Sequence, residues 1–294
     1  MTSHLHTLAL SGVLTLAAGA AMATQTITAD AANDNTMYQF DPTQGETALS
    51  NGSGGWMFAG MTASNSRRRA LVRFDIADLI PPGSTIVSAT LTLHMSRTIA
   101  GFTPVTIHRV QASWGEGTSV AFGDQGAGAG AKTDDATWID RFYESGLVWQ
   151  NPGGDFDAAP SATTQVGDVG FYSWSSPQMV AEVQTWLSNP GTNFGWVVVG
   201  DETQTATAKR FDTHENAEPT FRPALVIEYN LPSTCDPDVN QDGVADQGDV
   251  DYLINVIAGG ENPTGIDPDF NQDGVADQGD IDALVNVIAG GQCP

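Results

Sequence analysis

Basic residues are scarce in this chain. Lys and Arg number 11 against 35 Asp and Glu, a formal net charge of −24 over 294 residues. Such a balance repels nucleic-acid backbones and anionic membrane surfaces, so neither is an expected partner. Cysteines number only two, too few for a four-cysteine zinc site or a disulfide-dense scaffold. Familiar catalytic signatures are also missing: there is no G-x-S-x-G, no H-E-x-x-H and no cysteine nucleophile. His214-Glu215 near Asp212 is the one local acid–base grouping, and a His beside a Glu is ordinarily a hydrogen-bonded structural pair; His108 falls on an expected strand. A glycosidase-type carboxylate pair would meet only in the fold, beyond the reach of sequence spacing. Apolar runs that could cross a bilayer are absent too. The best candidate, Leu8–Ala21, is shorter than the roughly 20 residues a spanning helix needs. With Ala21-Met22-Ala23 behind it, this run reads as an export signal over residues 1–23, although Met1–Thr7 holds no Lys or Arg. The mature chain is therefore expected to be secreted, extracellular or at the cell surface.

The acidity is patterned at the C-terminal end. Residues 235–294 carry 13 acidic side chains and no Lys or Arg. Asp236–Gly260 repeats as Asp267–Gly291 at an offset of 31 residues, with only four differences in 25 positions. Near-identical duplication means one supersecondary unit used twice. Each copy fits a twelve-residue EF-hand loop. In the first, Asp238, Asn240 and Asp242 fill positions one, three and five, and Gly243 sits at the sharp turn. Val244 offers its carbonyl, Asp246 stands at nine and Asp249 at twelve; the second loop repeats this with Asp269, Asn271, Asp273, Val275, Asp277 and Asp280. Hard oxygen donors in a flexible ring favour Ca²⁺ over Mg²⁺, so two structural Ca²⁺ ions are expected. Position twelve is usually Glu. Asp is one methylene shorter and demands a tighter loop. Val250, Leu253, Ile254 and Ile257, and then Ile281, Leu284, Val285 and Ile288, predict a short helix after each loop, with no helix before it.

Loop plus exit helix, duplicated, without entering helices, resembles a dockerin, and the resemblance covers essentially all of residues 235–294. It is closest in style to the cysteine-framed type I-like dockerins that end many exported planctomycete proteins. The resemblance implies a cohesin-like partner, met through loop positions ten and eleven and the exit helix, here Gln247 and Gly248 in one repeat and Gln278 and Gly279 in the other. Clostridial dockerins typically carry Ser-Thr there, so this pair points away from a classical clostridial cohesin. Near-identity of the repeats implies two binding orientations. Sixty residues with two short helices bury too little to be stable unaided. If calcium exceeds the dissociation constant about a thousandfold, each ion adds roughly 4 kcal/mol. Cys235 and Cys293 bracket the unit, and a bridge there would add about 4 kcal/mol in the chain-entropy model; two free thiols are the other possible state.

Residues 24–231 lack sustained helical periodicity, and 32 glycines with only 16% charged residues favour an all-β domain. Ala70–Asp75, Thr85–Met95, Val105–Val110, Phe194–Val199 and Ala224–Tyr229 read as strands, separated by turns such as Pro81-Pro82-Gly83. Met179–Leu187 is the one helical segment. Strands without intervening crossover helices predict a mainly β, jelly-roll-like β-sandwich over 24–231, followed by a small α module of two calcium loop–helix repeats over 232–294. The order Arg69-x-Leu-Val-Arg-Phe-Asp75, Ser113-Trp-Gly-Glu-Gly117, Val183-x-x-Trp186, Asn193-Phe-Gly-Trp196, Phe211-x-Thr-x-Glu215 and Arg222–Tyr229 resembles the DNRLRE domain, which overlaps carbohydrate-binding module family 96. The stretch Gly123–Asp157 aligns with nothing in that pattern. This resemblance implies a non-catalytic sandwich that in some members binds acidic polysaccharide. Uronate recognition needs guanidinium forks, and Arg67, Arg68, Arg69 and Arg73 form the densest basic cluster, with Trp56 and Trp114 as candidate stacking platforms. Three readings follow. The first is a glycan-binding protein delivered by its docking module. The second is an adhesive surface protein without a sugar ligand. The third is a polysaccharide-degrading enzyme.

Overall fold

The computed structural model describes residues 24–231, 235–291 and 293–294, which fall into two compact units divided near residue 232. The expected export signal lies outside the described residues. No helix among them is long and apolar enough to cross a membrane.

The first unit is mainly antiparallel β-structure. Its strands open with β1 (Gln25–Asp30), β2 (Asn33–Tyr38), β3 (Leu49–Ser50), β4 (Trp56–Met61) and β5 (Arg67–Arg73). They continue with β6 (Thr85–Thr98), β7 (Thr103–Arg109), β8 (Ala129–Gly130), β9 (Asp140–Phe142) and β10 (Leu147–Val148). The set closes with β11 (Ala162–Val166), β12 (Gly170–Ser175), β13 (Trp196–Val199), β14 (Lys209–Asp212) and β15 (Ala224–Asn230). Each of the five expected strands is present, with boundaries shifted by a few residues. Eleven strands form one sheet in the order β1-β15-β6-β14-β4-β5-β13-β7-β11, with β12 added on β6 and β2 on β5.

Strand β4 lets this sheet curl. Its first residues, Trp56–Ala59, pair with β14, whereas Gly60 and Met61 pair with β5. The switch occurs at Gly60, whose φ of 113° is closed to ordinary side chains. A Cβ there would also stand 3.0 Å from the backbone of Thr207 and Ala208. The curled sheet encloses one large core, built from alternate residues as the two-residue strand period requires. Leu91, Leu93 and Met95 of β6 meet Val105 and Ile107 of β7, Trp196 and Val198 of β13, and Trp174 of β12.

Strands β5 and β13 are buried on both faces. Ala70 and Val72 enter the large core, while Leu71 between them enters a second cluster with Met37, Val197, Trp138 and Trp149. That second layer comes from the long Gly-rich stretch the sequence left without a counterpart. It forms a lid of short hairpins, pinned by Trp149 Nε1 donating to Thr137 O at 3.0 Å.

Helix α1 (Pro177–Ser188) is the expected helical segment. Ser176 caps it, accepting from Met179 N–H at 3.1 Å, and Pro177 takes the first helical position, where its missing N–H costs nothing. Met179, Val183, Trp186 and Leu187 face the core as their spacing requires. Glu182 is buried with them. It accepts from Trp196 Nε1 at 2.7 Å and Ser161 Oγ at 2.8 Å. Trp174 is fully buried and donates its ring N–H to Val105 O at 2.9 Å. Truncation of Trp174 to Ala should cost the body about 3–5 kcal/mol, from lost burial and a cavity that rigid strands cannot close. Urea denaturation followed by tryptophan fluorescence checks this, and a loss under about 1 kcal/mol would contradict the core assignment.

Candidate metal-binding loops and the arginine surface

The second unit holds α2 (Gln247–Ile257) and α3 (Gln278–Ile288), each beginning at position ten of one of the acidic loops, so that the loop's last three residues form the first turn of the helix. Val239, Val250, Leu253, Phe270 and Leu284 form its small core. Cys235 and Cys293 are joined in a disulfide with Cα atoms 5.9 Å apart, which closes the unit across a separation of 58 residues.

The two loops have matching backbone and matching hydrogen bonds. Gln241 and Gly243 take positive φ (59° and 96°), and Gln272 and Gly274 repeat it (57° and 93°). Asp238 accepts from the N–H groups of Asp242 and Gly243, at 3.1 and 3.0 Å. Asn240 Oδ1 accepts from Asp242 N–H, and Asp242 Oδ1 from Val244 N–H. Asp249 is fully buried and reaches back across the loop, accepting from Asn240 N–H at 3.0 Å and Asp246 N–H at 2.8 Å. Asp280 makes the same two bonds to Asn271 and Asp277, at 2.9 and 2.7 Å. Asp246 and Asp277 also cap their helices, so positions nine and twelve form a capping box. The donors available to an ion are carboxylate, amide and carbonyl oxygens, with no basic side chain in the unit to compete. That set fits Ca²⁺.

The two Gln-Gly pairs lie at the helix starts, with both glutamines exposed. Gly248 is held close: a Cβ would meet Asp246 Oδ1 at 3.1 Å and Asn240 Nδ2 at 3.2 Å. Ile254 and Val285 occupy equivalent exposed positions one to two turns further on.

In the body the arginine cluster is largely engaged within the fold. Arg69 makes a two-pronged pair with Glu202, at 2.7 and 2.8 Å, donates to Gly153 O and lies 4.9 Å from the Trp138 ring centroid. Arg67 stands 3.2 Å from the same Glu202. Arg73 pairs with Asp75 at 2.5 Å and also donates to Asn33. Arg68 covers the Tyr38 ring and lines a groove of about 250 Å³. That groove brings in two arginines that local sequence could not associate, Arg97 and Arg210, both bonded to the exposed Asp124 at 2.5 and 3.3 Å. Arg210 stacks 4.2 Å over the ring of Trp56, which does not itself line the groove. Trp114 is half-buried and gives its ring N–H to Phe194 O.

His108 is a structural residue, bonded to Asp157 O and Thr106 Oγ1 at 2.9 Å each. Asp212 turns away from His214 and pairs with His94 at 2.5 Å. Instead His214 and Glu215 meet Asp34 of β2 and Glu116 of the loop after β7. Asp34 Oδ2 accepts from His214 N–H and stands 3.0 Å from its Nδ1. Glu116 Oε1 lies 3.6 Å from the same nitrogen, and Glu215 Oε1 3.3 Å from Nε2. The Asp34 hydrogen bond pushes the imidazole up to about 9, and burial lifts the Glu215 carboxyl to about 7. Burial raises Asp34 and Glu116 as well.

Compared with known proteins, the chain matches no protein-family model and no curated protein.

Replacing Arg69 with Ala should destabilise the body by about 2 kcal/mol, because Glu202 then loses a two-pronged partner in a half-dry site. Arg67→Ala should change stability by under about 0.5 kcal/mol, being a more exposed single contact. Chemical denaturation of the two variants reads the difference, and equal effects would overturn it.

Proposed function

We propose that this is an exported, non-catalytic two-module protein. Its C-terminal unit is a dockerin-like plug that folds around two structural Ca²⁺ ions and engages a cohesin-like partner. Its β body binds acidic polysaccharide. The observation that carries the reading is the pair of superimposable loops, each with a buried position-twelve Asp reaching back to the first half of the ring. A merely acidic linker would not bury two carboxylates on backbone N–H groups in the same way twice.

Calcium is assigned a structural role because the unit offers nothing else to answer its charge. Asp238, Asn240, Asp242, the Val244 carbonyl, Asp246 and Asp249 would hold one ion, and the equivalent residues of the second repeat the other. Partner binding is assigned to Gln247, Gly248, Gln278 and Gly279 with the exposed helix faces, in two orientations related by the repeat.

The glycan reading for the body rests on the groove. Arg97 and Arg210 converge on the one exposed carboxylate of Asp124, the geometry a uronate carboxylate would take over. Trp56 beside Arg210 gives an aromatic edge for a sugar ring.

Chelation with EDTA should abolish most of the far-UV helical signal of the tail, with the β signal of the body unchanged, and Ca²⁺ should restore it. Calorimetric titration should give one ion per loop, and Asp249→Ala should remove one of them. A helical signal indifferent to EDTA would refute the metal-dependent plug. For the body, electrophoresis in gels containing alginate should retard the wild-type chain. Arg97→Ala and Arg210→Ala should each lose most of that retardation, about 1–3 kcal/mol of binding. Equal migration of wild type and variants would refute the groove as the glycan site.

A further inference from the structure

Four side chains in the body are used by none of the readings above. One donor atom from each of Asp34, Glu116, His214 and Glu215 lies within 4.8 Å of all the others. Among the described residues no other set of His, Cys, Asp and Glu meets that test. We propose that this cluster is a binding site for a divalent first-row transition cation, with Zn²⁺ the best match, distinct from the calcium loops.

The strongest argument is a pair of buried carboxylate oxygens without partners. Asp34 is fully buried, yet its Oδ1 has no hydrogen-bond partner, and Glu215 Oε2 is buried and unpartnered in the same cluster. A bare buried carboxylate oxygen costs about 1–3 kcal/mol or more, and His214, the one cationic side chain facing the cluster, meets Asp34 Oδ2 and Glu215 Oε1 and leaves these two oxygens without a partner. No Lys or Arg among the described residues pairs with any of the three carboxylates. Arg73 stops one residue short, at Asn33.

The groups are also held in place by outer contacts. Glu116 accepts from Asp34 N–H at 2.7 Å and Asn33 Nδ2 at 3.1 Å. Its own backbone carbonyl is fixed by Asn35 Nδ2 at 2.8 Å. Asp34 is oriented by the N–H of His214. Such outer hydrogen bonds are what aim ligands at a metal. Glu116, His214 and Glu215 each keep a fifth to a quarter of their side-chain surface exposed, so an ion can enter.

Donor type selects the ion. Calcium takes six to eight oxygens, as the tail loops supply, whereas one imidazole with carboxylates suits Zn²⁺ at about 2.0–2.2 Å per bond. The ligands come from three places: β2, the loop after β7 and the loop after β14. Bound metal would therefore staple segments 82 and 180 residues apart in the chain.

The test uses the full chain without a polyhistidine tag, saturated with Ca²⁺ so that the loops are filled, and titrated with Zn²⁺ by calorimetry and thermal melting. One Zn²⁺ per chain should bind and raise the melting temperature of the body. His214→Asn and Glu215→Gln should each weaken Zn²⁺ binding by about 100-fold or more, with calcium binding unchanged. Absence of Zn²⁺ binding to the calcium-saturated chain would overturn the proposal and leave protonated His214 as the cluster's own cation. Equal Zn²⁺ affinity in wild type and both variants would overturn it too. If a variant fails to fold, Co²⁺ added to the wild-type chain decides. A paramagnetically shifted resonance from the His214 imidazole supports the site, and an unshifted His214 refutes it.

Discussion

A chain with three acidic side chains for each basic one must answer most of its buried carboxylates without ion pairs, and that constraint shapes both units. The available answers are hydrogen-bond donors and external cations. Glu182 uses the first, drawing on the indole N–H of Trp196 and the hydroxyl of Ser161 in the middle of the large core. Asp155 does the same with the backbone N–H groups of Gln150 and Asn151, which locks the lid over the second core. The few arginines are then spent where a carboxylate lies at the edge of the sheet, as at Glu202. In the tail there are no arginines to spend. Asp249 and Asp280 lean on backbone N–H groups, which supply partial charge only.

The sequence announced the tail well because everything needed there is local. Acidic-residue spacing, turn glycine and exit helix all fall within twelve to twenty-five residues, and duplication repeats the message. The capping box was hidden only because the same Asp serves the loop and the helix. In the body, strands with clean alternation, such as β6 and β7, could be read from their own residues. Strands β2, β4 and β14 could not. Asn33–Tyr38 is polar at its start because Asp34 and Asn35 serve a buried hydrogen-bond network. Trp56–Met61 has no alternation because it changes sheet partners at Gly60. The lid over Leu71 and Val197 carries tryptophans without strand periodicity, so its role as a second layer is a tertiary fact.

The candidate site residues follow the same division. Arg67, Arg68, Arg69 and Arg73 stand out because they are adjacent, yet adjacency on one strand sends alternate side chains to opposite faces, where Arg69 meets Glu202 and Arg68 meets Tyr38. The groove arginines, Arg97 and Arg210, are far apart in sequence and meet because β14 pairs with β6. His214-Glu215 attracts notice as a dipeptide, but its partners Asp34 and Glu116 come from loops and strands that no spacing rule connects. Asp212, the last residue of β14, is taken up by His94 of the neighbouring β6, and the chain leaves the strand before His214 turns to Asp34.

The body and the tail thus solve one electrostatic problem at different prior costs. The body already has cores of its own, so a cation in the Asp34 cluster would adjust a structure that forms without it. Five buried apolar side chains form the core of the tail, a disulfide closes it, and under the calcium binding proposed above its fold would also depend on bound ions. Both supports exist together in an oxidising, calcium-rich setting and are weak inside a reducing cell. Under the export proposed above, the plug would become rigid only after it leaves the cell. The exposed Gln247 and Gln278 faces would then be presented to a partner only where docking is useful. Under that proposal, charge that looks excessive in the sequence would tie folding of the plug to its destination.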